Sequence, residues 1–515
     1  MNTLPQVVIV ELGSQVTRLI ERTLRELGVR SAILSPKQAA KWFKKFPVRA
    51  VILSGGPASV YEKGAPMPPR GILSLRQPDG KPVSVLGICY GMQWIARELG
   101  GQVESVNAKR EYGAAEICEM RSDRIFEGVG GSDAGVWMSH GDSVTALPPG
   151  FSSLAKTRDG AFAMMANDER TVYGVQFHPE VNETVCGRTL LENFVFKVAG
   201  CERDWEAASM IDSIREAVAA AMQGKKAVIG FSGGVDSTTL TALIAPSLGK
   251  RLRAITIDAG HLRRGEMEEI RRHAKAAGVR LKVVKVAPRF IAAIGKAIDA
   301  EKKRTIFRRL YAAVFRQEAR RFGASVVIQG TLAPDQIESG RTGGAVIKTH
   351  HNVGLDFGGL DQLHPIDHLF KYEVRALGRA LGLPESVCKR QPFPGPGLFI
   401  RVVGAPVTKE RLEIVREADA KVREILERNG LYDGLSQLVV GLVGVNTVGV
   451  KGDARAYGHM LLIRAVRTID FMTAKGVVFP EPVVEEIKTS LVKLQGIVRV
   501  VFDPTDKPPA TTELE

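Results

Sequence analysis

Twice along this chain a short, wholly apolar run stops at small residues and passes straight into a helical pattern. PVSVLGI gives way to CYGMQWIARELG at Cys89, and KKAVIG gives way to FSGGVDSTTLTALIA at Phe231. An apolar run without alternation is a strand buried on both faces, which occurs where helices cover a parallel sheet. QVVIVEL and RAVILSGG repeat the pattern in the first 200 residues, with helices expected over 14–27 and 91–99. Further on, RLRAITID, RLKVVKV and ASVVIQG are expected strands with helices between them, after a helix expected over 201–222. Past PFPGPG the texture changes to a helix (409–428), strand-like runs (436–450, 459–467), a helix (481–494) and a last strand, GIVRVVF. The expectation is two parallel-sheet α/β domains, 1–200 and 201–395, and a small α+β domain, 396–515. That agrees with the 515-residue length at roughly 150 residues per domain.

Composition excludes several classes. No apolar stretch approaches the ~18 residues a membrane span needs, and the start carries no basic n-region. A soluble, cytoplasmic protein with no membrane partner is expected. The five cysteines are odd in number and form no CxxC pair, which argues against a disulfide framework and a zinc site. The charge is +15. Residues 251–350 carry 22 basic and 9 acidic side chains, a net +13, so the surplus is local. A local surplus fits a domain that holds small phosphorylated ligands better than a nucleic-acid polymer, and no RNP-like aromatic motif is present.

Cys89 sits at the strand-to-helix turn GICYGMQ, where a nucleophile is presented above a sheet and a helix N-terminus favours thiolate. The flanking Gly87 and Gly91 are expected to permit the turn and close substrate approach. In YGVQFHPE, His178 and Glu180 are two apart on an extended segment, so both point to one side. His178 can then activate the thiol while Glu180 orients the imidazole. SGGP ends another strand, and the amides of Gly55 and Gly56 are candidates for an oxyanion hole. Together these motifs resemble the class I glutamine amidotransferase domain. That resemblance implies Cys89 as nucleophile, His178 as base and Glu180 as orienter in the release of ammonia from glutamine.

The second turn, Ser232, Gly233, Gly234, Val235, Asp236 and Ser237, lets backbone amides close around an anion at a helix N-terminus. It is not a Walker A loop, because GxxxxGK[ST] is absent. Asp236 is the candidate Mg2+ ligand, since a hard cation takes carboxylate oxygen. SGGxDS resembles the loop of ATP pyrophosphatases, which adenylate a substrate oxygen.

The remaining motifs are IQGTLAPDQIESG (328–340), IKTHHNVG (347–354), HLFKYEVRALG (368–378), KRQPFPGPGLFIRVVG (389–404) and DPTDKPPATTELE (503–515). In order and over essentially the whole chain they resemble the glutamine-hydrolysing GMP synthases. The resemblance implies that XMP, ATP, glutamine and water give GMP, AMP, pyrophosphate and glutamate. It also implies XMP contacts from Arg263, Lys507 and Glu513, a lid lysine at Lys371, Asp335 and Glu338 in the PDxIES stretch, and a homodimer through the C-terminal domain. His350 and His351 are not expected to share a metal. Gly452 to Gly458 is either a plain turn or a nucleotide contact. The chain departs from the family pattern at Glu11, Leu12, Val16, Ala259, Tyr372, Glu183 and Leu514. The alternatives are another adenylating amidotransferase, against which PDxIES and the tail speak, and an RNA-binding module resting on the basic middle.

Overall fold

The structure is a computed structural model that describes residues 4–105, 111–130, 134–332, 357–451, 453–468 and 473–514. The chain divides into two compact units, 1–206 and 207–515.

The first unit is built on a nine-stranded sheet. Five strands are parallel, in the order Ser31–Leu34, Val7–Val10, Ala50–Leu53, Ser84–Ile88 and Val172–Val175. Antiparallel strands Phe162–Asn167, Phe151–Thr157, Glu111–Cys118 and Ala134–His140 extend it. The runs expected to be buried on both faces are so: every residue of Val7–Val10, Ala50–Leu53 and Ser84–Ile88 is buried. The expected helices are present as Thr17–Glu26 and Tyr90–Glu98. The antiparallel extension is an addition that the parallel pattern did not announce.

The second unit holds two sheets. One is five-stranded and all parallel, in the order Leu281–Lys285, Leu252–Asp258, Ala227–Gly230, Val326–Ile328 and Asp361–Leu363. Its last strand, DQL, is too short and polar to stand out in the sequence. The chain leaves central Ala227–Gly230 to build one side of the sheet and then the other, so Phe231 lies at the switch point where α/β sheets open a crevice. The other sheet centres on a long hairpin, Gln437–Lys451 and Ala454–Arg467, flanked by Val402–Val403, Lys475–Gly476 and the parallel strand Ile497–Asp503. Helices Lys409–Arg428 and Glu481–Leu491 belong to the same unit. One core runs through both sheets, from Val228 and Phe315 to Leu438 and Ile463. Gly458 falls within the hairpin's second strand, and Gly452 lies outside the described residues.

The glycines around Cys89 serve packing rather than the turn. Cys89 itself takes the unusual backbone, φ 51° and ψ −105°. A Cβ on Gly87 would lie 2.5 Å from the carbonyl carbon of Gly91, and one on Gly91 would lie 2.5 Å from the Leu53 carbonyl oxygen. Neither obstacle is a flexible side chain. Gly91→Ala is therefore expected to cost about 1–3 kcal/mol of stability through overpacking. Gly130→Ala, in open space, is expected to stay within about 0.5 kcal/mol. Equilibrium denaturant unfolding checks both, and equal losses would refute the packing argument.

Candidate active sites

Parallel pairing assembles the first site. Ala50–Leu53, Ser84–Ile88 and Val172–Val175 are neighbours in register, with Leu53 beside Gly87 and Gly87 beside Gly174. Their carboxyl ends therefore open at one edge, where the chain continues as Ser54–Gly56, Cys89 and Gln176–Glu180. The ideal Cβ position of Gly55 lies 3.0 Å from His178 Cε1 and 3.6 Å from Cys89 Cβ, so this glycine faces both groups. Gly56 turns its Cα to Leu12, whose carbonyl oxygen would be 2.4 Å from a Cβ there. The Ser54 hydroxyl ties the strand end down, accepting from Leu12 N–H (2.8 Å) and donating to the Gly55 carbonyl (2.9 Å).

His178 is buried and meets Glu180 Oε1 through Nδ1 at 2.8 Å. A carboxylate can only accept here, so Nδ1 carries the proton and Nε2 is left for the sulfur. Burial alone would lower the imidazole's pKa. The Glu180 carboxylate and the Cys89 hydrogen bond outweigh it and raise the pKa from 6.5 to about 10. An imidazolium is the counter-charge that a nucleophilic thiolate needs. The Cys89 sulfur also donates to the Ser139 carbonyl at 3.6 Å. Thr184, which sequence reasoning passed over, pins the His178 segment. Its hydroxyl donates to the His178 carbonyl (2.6 Å) and accepts from Trp137 N–H (3.0 Å), while His178 N–H donates to the Trp137 carbonyl (3.0 Å). No motif announces a threonine in this role. The other four cysteines form no disulfide, and burial pushes the Cys201 thiol up to about 12.

The second site lies at the carboxyl end of Ala227–Gly230. Gly233 has φ +71°, which a glycine adopts without strain. Ser232 Oγ accepts from Gly234 N–H (3.2 Å) and lies 3.1 Å from Ser237 Oγ, so the loop closes on itself. Val235, Asp236 and Ser237 open the helix Val235–Leu248. The structure joins two residues that the sequence kept 135 apart: Lys371 Nζ pairs with Asp236 Oδ2 at 2.5 Å. Asp236 Oδ1 is buried without a hydrogen-bond partner.

Arg263 leads to a third group of residues. Its guanidinium sits over the Phe393 ring at 4.3 Å, and Nε lies 3.5 Å from Asp419 Oδ2. Asp419, fully buried, also takes Arg401 Nη1 (3.1 Å) and Arg423 Nε (2.9 Å). Burial would raise this carboxyl's pKa, but Arg263, Arg401 and Arg423 outweigh it and hold the pKa below its ordinary value. Arg401 Nη2 reaches Glu513 Oε1 at 3.4 Å, and Gln437 donates to the same oxygen at 2.5 Å. Arg263 and Glu513 are thus connected through Asp419 and Arg401. Arg263 Nη2 is buried without a partner. Lys507 is held by its backbone, which exchanges two hydrogen bonds with Ala474 (2.8 and 3.0 Å). Asp335, Glu338, His350 and His351 lie outside the described residues. Among the departures from the family pattern, Ala259 is buried, Tyr372 stacks on Phe370 (centroids 6.3 Å) and Leu514 packs against Gly441.

Much of the cationic surplus lies elsewhere than in these groups. Arg271, Arg272, Lys275, Arg280, Lys282, Lys285, Arg309, Arg320 and Arg321 are all exposed. The surplus is therefore spread well beyond these groups, and Arg263, with its side chain 9% exposed, is the member of the stretch that pairs with Asp419.

Three comparisons with known proteins bear on the chain. Residues 8–198 match the family model described as glutamine amidotransferase class-I, 210–340 match asparagine synthase, and 424–514 match GMP synthase C terminal domain. The glutamine-hydrolysing GMP synthase of Aquifex aeolicus is 41% identical over 99% of both chains. Those of Streptomyces coelicolor and Thermobifida fusca are each 42% identical, over 99% and 100% of this chain and 98% of theirs. A crystal structure from Thermoplasma acidophilum, described as a putative GMP synthase subunit, is 28% identical, covering 39% of this chain and 96% of that one, with a TM-score of 0.33.

The raised His178 pKa has a consequence for stability. The folded state binds this proton more tightly than the unfolded chain does. The contribution is complete below pH 6.5 and is lost as pH rises towards about 10. Thermal midpoints of the full chain between pH 7 and 10 are expected to fall less steeply in Glu180→Gln than in the wild type. Parallel slopes would show that the pair contributes no linkage.

Proposed function

The chain belongs to the glutamine-hydrolysing GMP synthases, and from that premise we propose how its own residues divide the work. The enzyme is a ligase that takes its amino group from glutamine and uses ATP to aminate XMP to GMP. We assign glutamine hydrolysis to the first unit, with Cys89 as nucleophile, His178 as base and Glu180 as orienter. Cys89 Sγ attacks the side-chain carbonyl of glutamine, and the proton on His178 goes to the leaving ammonia. Water then cleaves the thioester, with His178 taking its proton. Gly55, which faces the reacting pair, and Gly56 would supply amides to the oxyanion.

Adenylation belongs to the second unit. The Ser232–Ser237 loop would hold the ATP phosphates, and the XMP C2 oxygen attacks the α-phosphate, releasing pyrophosphate. Ammonia then displaces AMP. Arg263 and Glu513, together with Lys507 of the tail, would hold XMP. The orphaned Arg263 Nη2 and the Phe393 ring beneath it support that reading. The orphaned Asp236 oxygen fits a hard cation such as Mg2+. Among the described residues no cluster of three or more His, Cys, Asp or Glu could hold a metal, and Asp236 is the carboxylate that would hold the ion. When bound, the ion would neutralise charge on the departing pyrophosphate. Lys371, paired with Asp236, would turn to the same phosphates.

We place the enzyme in the cytoplasm. Among the described residues no helix is long and apolar enough to cross a membrane. A homodimer would form through the C-terminal sheet, whose hairpin exposes Val448 (50%), Val450 (78%) and Tyr457 (70%) around one shallow cavity. Apolar residues this exposed and this close together mark an interaction face.

The observation that carries the division of labour is that Cys89 and the Ser232–Ser237 loop lie in separate compact units. Cys89→Ala is expected to abolish glutamine-driven GMP formation, while GMP formation from added ammonium salt stays within about twofold of wild type. Loss of the ammonia-driven reaction in a folded variant would refute the assignment. Tyr457→Lys combined with Val450→Lys is expected to halve the mass seen by light scattering; an unchanged mass would remove the hairpin from the interface.

A further inference from the structure

We propose that Arg390 and Glu266 form a positioning relay that sets the Gly233–Gly234 peptide for phosphate and ties that setting to the backbone of Arg263, so that ATP and XMP bind cooperatively. The proposal rests on the reading of Ser232–Ser237 as the ATP phosphate loop.

The Gly233 oxygen accepts two hydrogen bonds, from Arg390 Nη1 at 3.0 Å and His273 Nδ1 at 2.8 Å. In a trans peptide the C=O and the next N–H point in opposite directions. With the Gly233 oxygen held by these donors, Gly234 N–H points the other way, towards Ser232 Oγ and the hollow of the loop. That is the orientation an anion needs, because a flipped peptide would present it with an oxygen. The conformation requires glycine at 233 on two counts. Its φ is +71°, and a Cβ would meet Ile270 Cγ1 at 2.8 Å and Arg390 Nη1 at 3.3 Å.

His273 suits this task as a neutral ring. Burial lowers its pKa below the ordinary value, despite the hydrogen bond to the Gly233 carbonyl. Bonding to a carbonyl requires the proton on Nδ1, which leaves Nε2 to accept from the Ser386 hydroxyl at 3.4 Å.

Arg390 does more than donate to the loop. Its Nη2 pairs with Glu266 Oε1 at 2.5 Å and its Nη1 lies 3.3 Å from Glu269 Oε2. The Arg390 and Glu266 side chains are 13% and 4% exposed, so the pair is largely desolvated and neither charge can leave its partner cheaply. The second oxygen of Glu266 accepts the backbone N–H of Arg263 at 2.8 Å. Three contacts therefore join four groups in series: Gly233 carbonyl, Arg390 guanidinium, Glu266 carboxylate, Arg263 amide. At the far end, the Arg263 side chain enters the Asp419 and Phe393 group. A ligand that stiffens either end orders the shared pair, and the second ligand then has less to order. Linkage makes the effect reciprocal.

The test uses the full-length enzyme with ammonium as nitrogen donor, so that glutamine hydrolysis does not enter. Calorimetric Kd is measured, with magnesium and without ammonium, for an ATP analogue whose α,β-phosphate bridge cannot be cleaved, with and without XMP. KM, kcat and thermal midpoint are measured alongside. Arg390→Met is expected to raise both KM for ATP and Kd for the analogue by roughly ten- to hundred-fold, the worth of a hydrogen bond to a charged group. The change in kcat should be smaller, and XMP should no longer tighten ATP. Arg390→Lys keeps the charge without the planar fork, so it is expected to restore part of the ATP affinity but not the effect of XMP. Glu266→Gln is expected to spare ATP affinity more than Arg390→Met and still weaken the coupling. If Arg390→Met does not fold, the other two variants decide. A folded Arg390→Lys or Glu266→Gln with wild-type ATP affinity and undiminished coupling overturns the relay, as does a wild type without coupling. Ser237→Ala separates the premise from the proposal. If it weakens ATP binding while the Arg390 variants do not, the relay alone is wrong; if it leaves ATP untouched, the loop reading falls and the relay with it.

Discussion

A parallel strand cannot turn straight back onto its neighbour, so each connection crosses the sheet and every strand delivers its carboxyl end to the same edge. Both candidate sites depend on that constraint. In the first unit three adjacent strands bring Ser54–Gly56, Cys89 and His178 to one edge although they are far apart in the chain. In the second, the central strand ends at the switch point and the Ser232–Ser237 loop occupies the crevice. The close packing that fixes these ends leaves no room for a methyl group at Gly91 or Gly187, where an added Cβ would meet backbone within 2.5 Å.

Buried charge is the second theme. Each site pairs a carboxylate with cations under low exposure: Glu180 with His178, Glu266 with Arg390, and Asp419 with Arg263, Arg401 and Arg423. Removing one partner of such a group leaves the other desolvated and alone, which costs more than the pair contributes. These groups therefore hold geometry: they fix a tautomer, a peptide plane and the direction of a guanidinium. The exposed lysines and arginines of the second unit, which dominate the net charge, are screened and do none of this.

How much was legible in advance follows from the range of each interaction. The apolar runs declared the buried strands, because burial on both faces leaves a local signature. Cys89, His178 and Glu180 were legible as motifs, since a strand-to-helix turn and an i, i+2 pair are local geometry. The loop 232–237 was legible for the same reason. Gly87 and Gly91 were legible as glycines but their purpose was not, because the obstacle is the backbone of other segments. Thr184, Glu266, His273, Arg390 and Asp419 did not stand out in the sequence as members of the candidate sites. Each acts through a partner on a different element, and only folding brings them together. The basic stretch was legible as a local charge, but which of its side chains lie on solvated surface, as Arg320 and Arg321 do, is decided by the fold.

By itself the sequence determined the fold class, the order of the units and the candidates for covalent and phosphate chemistry. Those follow from hydrophobic period, turn chemistry and side-chain type, all of which act over a few residues. The tertiary structure alone decided which of those residues meet. It placed Lys371 on Asp236, joined Glu513 to Arg263 through Arg401 and Asp419, and hung the Gly233 carbonyl and the Arg263 amide on one buried ion pair. Contacts between distant segments depend on sheet order and helix packing, and neither is written in any short window of the chain.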